Sequence, residues 1–232
     1  MKSILRIFFR LLYHQFAFTY DLVAAAVSLN RWKDWVMSVV PFIEGERVLE
    51  IGHGPGHLQR VLLGLGPVVV GIDESAQMGR LAKRNLRRGS VSLTASRQKA
   101  PSSPLHQPPQ RAYTQISLTR GLAQQLPFPD KSFDTIVATF PTEYITDVDT
   151  LIEVKRCLSH GGKFVVLPVA WPRSRILDWL FKITSQAPAE ALEIVKSRLR
   201  EPFTRAGFEA EVRSLDVPSG ILLIVVAKNP SR

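Results

Sequence analysis

The sequence is nearly without cysteine: Cys157 stands alone among 232 residues. That excludes a disulfide framework and any zinc site built from several thiolates. The five histidines (His14, His53, His57, His106, His160) show no HExxH or comparable spacing. No metal site is therefore expected. A reducing compartment is the natural reading. Long apolar runs are missing as well; none reaches the roughly 18–20 residues that cross a bilayer. Residues 1–20 carry Lys2, Arg6 and Arg10 with no acid, and Arg10 and then Asp21 break the run that a secretory signal needs. A cytoplasmic chain is expected, with the inner face of the membrane as its place if the basic N-terminus binds lipid.

Acids are missing over one long stretch. Between Glu74 and Asp130 there are none, against nine bases: Arg80, Lys83, Arg84, Arg87, Arg88, Arg97, Lys99, Arg111 and Arg120. Nearly the whole net charge of +10 sits there. Its middle, 89–112, is rich in Ser, Gln and Pro and reads as a basic loop inserted into a domain.

What is present alternates. With 45% hydrophobic residues the chain is no disordered polymer, and its length suits one large α/β domain or one domain with an appendage. Short apolar strands are expected at Arg47–Ile51, Pro67–Ile72, Thr114–Leu118, Ser132–Thr139 and Lys163–Leu167. Helices are expected at Gly56–Leu65, Ala76–Arg88, Asp147–Leu158 and Ala189–Ala206, with His160-Gly161-Gly162 as a helix stop. Two last strands, Glu209–Leu215 and Ile221–Ala227, are joined through Pro218-Ser219-Gly220 as a hairpin. Alternating strands and helices make a mostly parallel sheet covered on both faces. The expected fold is α/β and Rossmann-like, with an antiparallel C-terminal hairpin and N-terminal helices. Two parts follow: a helical extension and lid at 1–45, and the α/β domain at 46–232.

The most informative stretch is Val48-Leu-Glu-Ile-Gly-His-Gly-Pro-Gly-His57. A buried strand runs into Gly52, Gly54 and Gly56, and a helix follows. Glycines there let the backbone turn tightly and approach a ligand closely. Asp73 closes the next strand, 21 residues after Gly52, where an acid can accept both hydroxyls of a ribose. The spacing is G-x-G-x-G, unlike the G-x-G-x-x-G of diphosphate-binding loops, and Glu50 stands two residues before the first glycine. A carboxylate suits a cationic ligand better than a diphosphate. S-adenosyl-L-methionine, with its sulfonium and ammonium groups, fits.

At this point the sequence resembles the class I S-adenosylmethionine-dependent methyltransferases. The matching pieces are VLEIGHGPGH, VVVGIDES, GLAQQLPFPDKSFDTIVATF and LIEVKRCLSHGGKFVVLP, in family order from about Glu46 to Pro168. The resemblance implies a seven-stranded sheet with cofactor at the carboxyl ends of the first strands. It implies that Glu50, Gly52, Gly54, Gly56 and Asp73 hold the cofactor, with Glu74 or Ser75 at the adenine edge. It places Gly121, Leu122 and Ala123 along the adenine, and Thr139 and Phe140 beside the transferable methyl. Many relatives have Asp where Leu122 stands; here backbone groups or Gln124 would meet the adenine. Glu143 and Tyr144 follow the fourth strand, where catalytic or substrate-facing groups lie. His53 reads as a loop filler, His57 as the start of a helix, and Cys157 as core.

Two features bear on the acceptor. Ile4, Phe8, Leu11 and Leu12 share one helical face, opposite Lys2, Arg6 and Arg10. Such a helix lies on an anionic membrane or packs over its own domain. Phe18–Ser28 and Arg31–Trp35 resemble the ubiquinone and menaquinone C-methyltransferases and the bacterial phospholipid N-methyltransferases, which makes Tyr20 a lid residue. After the fifth strand, Trp171, Trp179, Leu180 and Phe181 form an apolar excursion that shapes an acceptor pocket or packs into the core. The expected acceptor is a lipid or another small hydrophobic molecule. The alternatives are RNA, held by the basic insert, and a non-catalytic cofactor-binding regulator.

Overall fold

A computed structural model describes residues 32–97, 117–172 and 188–231. Compactness divides the chain into 1–35 and 36–232, and every described element after the first helix belongs to the second unit. In chain order the elements are α1 (Trp32–Met37), a 3-10 turn (Val40–Phe42), β1 (Arg47–Ile51), α2 (His57–Leu65), β2 (Val68–Asp73) and α3 (Ala76–Arg97). Then come β3 (Ser117–Arg120), β4 (Phe133–Thr139), a 3-10 turn (Glu143–Thr146), α4 (Val148–Cys157) and β5 (Leu158–Pro172). The chain closes with α5 (Pro188–Arg205), β6 (Glu209–Val217) and β7 (Gly220–Lys228).

The seven strands form one sheet in the order β3-β2-β1-β4-β5-β7-β6. All pairings are parallel except those of β7, which runs against β5 and β6. The expected Rossmann-like sheet with an antiparallel hairpin is what the chain builds. The strand order reverses between β1 and β4, and in open α/β sheets that crevice, at the carboxyl ends, is where ligands bind.

The alternating sides of the strands decide the layers. Leu49 and Ile51 of β1 point into a core with Ile136, Leu151, Val154, Phe164 and Phe203. Val48 and Glu50 therefore face the other side. There α2 buries Leu58, Gln59 and Leu62 and shows Arg60 to solvent. Cys157 is core, as read from the sequence, and burial pushes its thiol up to about 11.

Several boundaries differ from the sequence reading. α3 runs to Arg97, nine residues past the expected Arg88, so the first part of the 89–112 stretch is helical; 98–112 lies outside the described residues. The expected strand Thr114–Leu118 is Ser117–Arg120. His160-Gly161-Gly162 does not stop a helix but lies within β5. β5 pairs Leu158 with Phe133 and Lys163 with Thr135, so the glycines lie where the four residues 159–162 oppose the single Asp134. Gly161 adopts φ 74°, which a bulge demands and a side chain resists. β5 also continues to Pro172, because Val169–Pro172 pair with Gly220–Leu223 of β7.

Asp134 of β4 ties the start of β1 in place. Its carboxylate accepts the backbone N–H groups of Glu46 and Arg47 and the Arg47 guanidinium. The Arg47 hydrogen bond holds the Asp134 carboxyl below its ordinary value. A depressed carboxyl contributes stability above its unfolded pKa of about 3.9 and loses it as pH falls through the folded value. Asp134→Asn is therefore expected to cost about 1–2 kcal/mol at pH 7. It should also flatten the acid limb below pH ~4. Urea midpoints measured from pH 7 down to 3 check both; parallel curves would remove the pairing from the account.

Candidate active site

The site is built from the β1–α2 loop upward. Gly52, Gly54 and Gly56 all take left-handed backbone, at φ 70°, 50° and 79°. Gly56 caps α2, and a Cβ there would stand 3.2 Å from the Ala82 Cβ of α3, which explains the absence of a side chain. A Cβ on Gly54 would meet nothing within 4 Å. The open side of the loop is at Gly54, the point at which a ligand can reach backbone.

Asp73 organises this loop. Its Oδ2 accepts the Gly54 N–H at 2.8 Å, and its Oδ1 accepts the Ser75 N–H at 2.8 Å. A carboxylate has about four acceptor positions, so two remain for ribose hydroxyls. Further ties hold the loop: Gly52 N–H donates to Ile72 O at 2.8 Å, and the Asn85 amide donates to Pro55 O at 2.9 Å. His53 is buried, with Nδ1 2.8 Å from Gly54 O, as a loop-filling residue would be.

Beneath the loop, Glu50 is 2% exposed, and burial pushes its carboxyl up to about 8, against the hydrogen bond of Gln59. Its Oε2 has no hydrogen-bond partner among the described residues. The Tyr144 hydroxyl comes down on the same place from the turn after β4. It stands 2.7 Å from where a Cβ on Gly52 would be. Burial, then the charges of Asp73 and Glu50, push Tyr144 up to about 12, so it stays a neutral donor. Phe140, at the end of β4, holds φ 51° and donates its N–H to Leu167 O at 2.7 Å. A bulky residue in left-handed backbone is costly and gathers at functional sites.

The structure thus brings Glu50, Gly52, Gly54, Asp73 and Tyr144 together, with Thr139 and Phe140 at the end of the neighbouring strand. The others are dispersed. Ala123 is buried in the core and offers a ligand only backbone. Leu122 is 48% exposed. Gln124 bonds Asp147 at 3.5 Å. Glu74 is exposed, its carbonyl taken by Arg120. Glu143 is exposed, and its carboxylate joins no hydrogen bond or ion pair among the described residues. Trp171 pairs in register with Ile221 inside β5 and so is no part of a loop excursion. Tyr20, the expected N-terminal helix and 179–181 lie outside the described residues.

Sequence reading missed Gln59 and Asn85. Gln59 carried a signal: it sits between Leu58 and Leu62 on the buried face of α2, where a polar side chain needs a reason. Asn85 had none, because its partner lies 30 residues away. No group of three or more His, Cys, Asp or Glu side chains able to hold a metal occurs among the described residues. A groove of about 690 Å³ is lined by Phe42, Glu44, Lys163, Glu209 and Lys228. It lies at the opposite end of the sheet from the glycine loop.

A reversing parallel sheet, a glycine loop entering a helix and an acid closing the next strand define a nucleoside-binding Rossmann-like domain. Among families, the model described as a methyltransferase domain matches residues 49–166. The chain belongs to that family, the class I S-adenosylmethionine-dependent methyltransferases. It is 28% identical over 181 residues to a demethylmenaquinone methyltransferase of Symbiobacterium thermophilum, covering 74% of this chain and 63% of that protein. It is 29% identical to a ubiquinone/menaquinone biosynthesis C-methyltransferase of Pseudomonas paraeruginosa, covering 72% and 59%. The chain therefore spans about 60% of the length of these curated relatives. In fold it is similar to a SAM-dependent methyltransferase structure from Methanosarcina mazei, with TM-score 0.53, 21% identity and 84% and 98% of the two chains covered.

Proposed function

We propose that this chain transfers a methyl group from S-adenosylmethionine to a small hydrophobic, lipid-like acceptor. The residues fit that cofactor on two observations. Glu50 presents a buried carboxyl oxygen without a partner, and the loop at Gly54 opens onto free space. Bound there, S-adenosylmethionine supplies a methyl on a sulfonium, which departs as a neutral thioether. Glu50 would face the cationic end, Gly52, Gly54 and Gly56 would admit it, and Asp73 would accept the ribose hydroxyls. Glu74, Leu122 and Ala123 would border the adenine, the last through backbone. Thr139 and Phe140 would border the methyl.

The chain's remaining task is alignment and exclusion of water, worth several kcal/mol by proximity alone. Tyr144, neutral and donating, would orient the acceptor; Glu143, exposed one residue earlier, would act as a base only if the acceptor must lose a proton. Tyr20 and Trp171 stand as lid and acceptor-side residues. The acceptor class is supported by the curated relatives, which are named a demethylmenaquinone methyltransferase and a ubiquinone/menaquinone biosynthesis C-methyltransferase. No helix among the described residues is long and apolar enough to cross a membrane. Binding at a membrane face would fall to the basic and apolar residues of 2–12.

One observation favours a second reading. Arg80, Lys83, Arg84 and Arg87 are all exposed on α3, which has no acid in its first turn. That face could meet RNA phosphates, though it carries no aromatic residue for base stacking. The test is radiolabelled methyl transfer into a total cell extract separated into lipid and RNA fractions. Label in lipid is the expected result. Label confined to RNA would transfer the acceptor role to the basic face. Bound cofactor with no label anywhere would leave a non-catalytic regulator.

A further inference from the structure

Two enclosed oxygens beside the glycine loop share one shortage. Glu50 Oε2 and Gln59 Oε1 each lack a hydrogen-bond partner among the described residues. Gln59 is fully buried. Its Nε2 donates to Val70 O at 3.4 Å and stands 3.0 Å from where a Cβ on Gly71 would be. Gly71 is the register neighbour of Glu50, so the missing Cβ makes room for the amide over β2, beside the carboxyl. The Glu50 side chain leaves β1 on the face that α2 covers with Gln59, opposite Leu49 and Ile51. Two carbonyl-type oxygens cannot satisfy each other; one of them must carry a hydrogen.

The surroundings decide which. Glu50 is faced by Asp73 from β2, Tyr144 from the turn after β4 and Gln59 from α2. His53 lies nearby with Nδ1 engaged by Gly54 O, and β4 contributes the apolar Val137. No cation pairs with Glu50 among the described residues. An ionised Glu50 would be enclosed next to Asp73 without compensation, an arrangement proteins avoid by keeping the group neutral.

We propose that Glu50 is protonated before the cofactor binds and forms a reciprocal acid–amide pair with Gln59, and that docking of the cationic cofactor expels this proton. In the pair, Gln59 Nε2–H donates to one carboxyl oxygen and Glu50 Oε2–H donates to Gln59 Oε1. The second Nε2 hydrogen keeps Val70 O, so every polar atom is used. On docking, the Glu50 O–H bond breaks, the electron pair stays on the carboxylate and the proton goes to buffer. The incoming cation replaces the charge lost. Gln59 is then a positioning residue that acts through Glu50. The inference rests on the cofactor reading above. It is supported by the burial that pushes Glu50 up to about 8.

The experiment is calorimetry of S-adenosylmethionine binding across pH in buffers of different ionisation enthalpy. It compares the wild type, Glu50→Gln and the volume-conserving Gln59→Met. The cofactor's own amino group contributes equally to each protein and cancels in the difference. Near pH 7 the wild type is expected to release close to one proton more than Glu50→Gln, and its affinity to rise with pH until about 8. Infrared difference spectra should show a protonated carboxyl band lost on binding and absent from Glu50→Gln. In Gln59→Met that band should move to higher wavenumber as its hydrogen bond disappears, with thermal unfolding confirming the fold. Binding with equal proton release in wild type and Glu50→Gln, or an unmoved band in Gln59→Met, overturns the inference alone. No saturable binding by the wild type at any pH overturns the cofactor reading and this inference with it.

Discussion

Asp73→Ala is expected to lower S-adenosylmethionine affinity by about 100-fold, equivalent to roughly 2.7 kcal/mol. The reason is double. Asp73 accepts the Gly54 and Ser75 N–H groups at 2.8 Å each, so its carboxylate shapes the loop before any ligand arrives. Its remaining lone pairs are those a ribose would use. Removal unpairs two partly enclosed donors, at about 1 kcal/mol or more apiece, and deletes the ribose acceptor as well. Asp73→Asn should fall between, since one amide oxygen can keep one backbone donor while its NH₂ opposes the other. Calorimetry gives the affinities and urea unfolding gives the stability cost. Unchanged affinity in Asp73→Ala would remove the ribose from this position.

The second large effect is expected at Gly52, read against Gly54. Both hold left-handed backbone, so an alanine at either costs about 1–2 kcal/mol in strain. They differ in what the added methyl meets. At Gly52 it lands 2.7 Å from the Tyr144 hydroxyl; at Gly54 it lands in open space. Gly52→Ala should therefore lose stability beyond the strain and at least about tenfold in cofactor affinity, because Tyr144 must move. Adding Tyr144→Phe removes the obstructing oxygen and should restore part of both losses, a coupling that a double-mutant cycle reads directly. Gly54→Ala should lose only the strain in stability but a comparable share of affinity, because its methyl occupies ligand space. Equal stability losses at both glycines would remove the Tyr144 contact from the explanation.

Much of the fold was legible because its signals are local. The strand–glycine–helix–strand–acid order lies within Arg47–Asp73, and each step follows from neighbouring residues. Apolar runs make buried strands, glycines permit positive φ, and Leu58 and Leu62 turn α2 toward the sheet. The hairpin was legible for the same reason, since Pro218 and Ser219 leave two residues between the paired Val217 and Gly220. Boundaries were less legible where a distant strand set them. Nothing near Val169 says that β5 continues to Pro172; the ladder with β7 decides it, some fifty residues later. The glycines at 161 and 162 read as a helix stop because a bulge and a stop need the same backbone freedom.

The family, the sheet and the glycine loop follow from local order along the chain, since Glu50, the three glycines and Asp73 sit at fixed steps along consecutive elements. Only the tertiary structure set Tyr144 over Gly52, engaged both oxygens of Asp73 with backbone, and placed the Gln59 amide in the space that Gly71 leaves open beside Glu50. The physical reason is the difference between propensity and packing. A strand or a turn is specified by residues a few positions apart. A buried carboxyl's partner, and therefore its charge, is specified by whichever side chains the folded sheet and its helices bring to it.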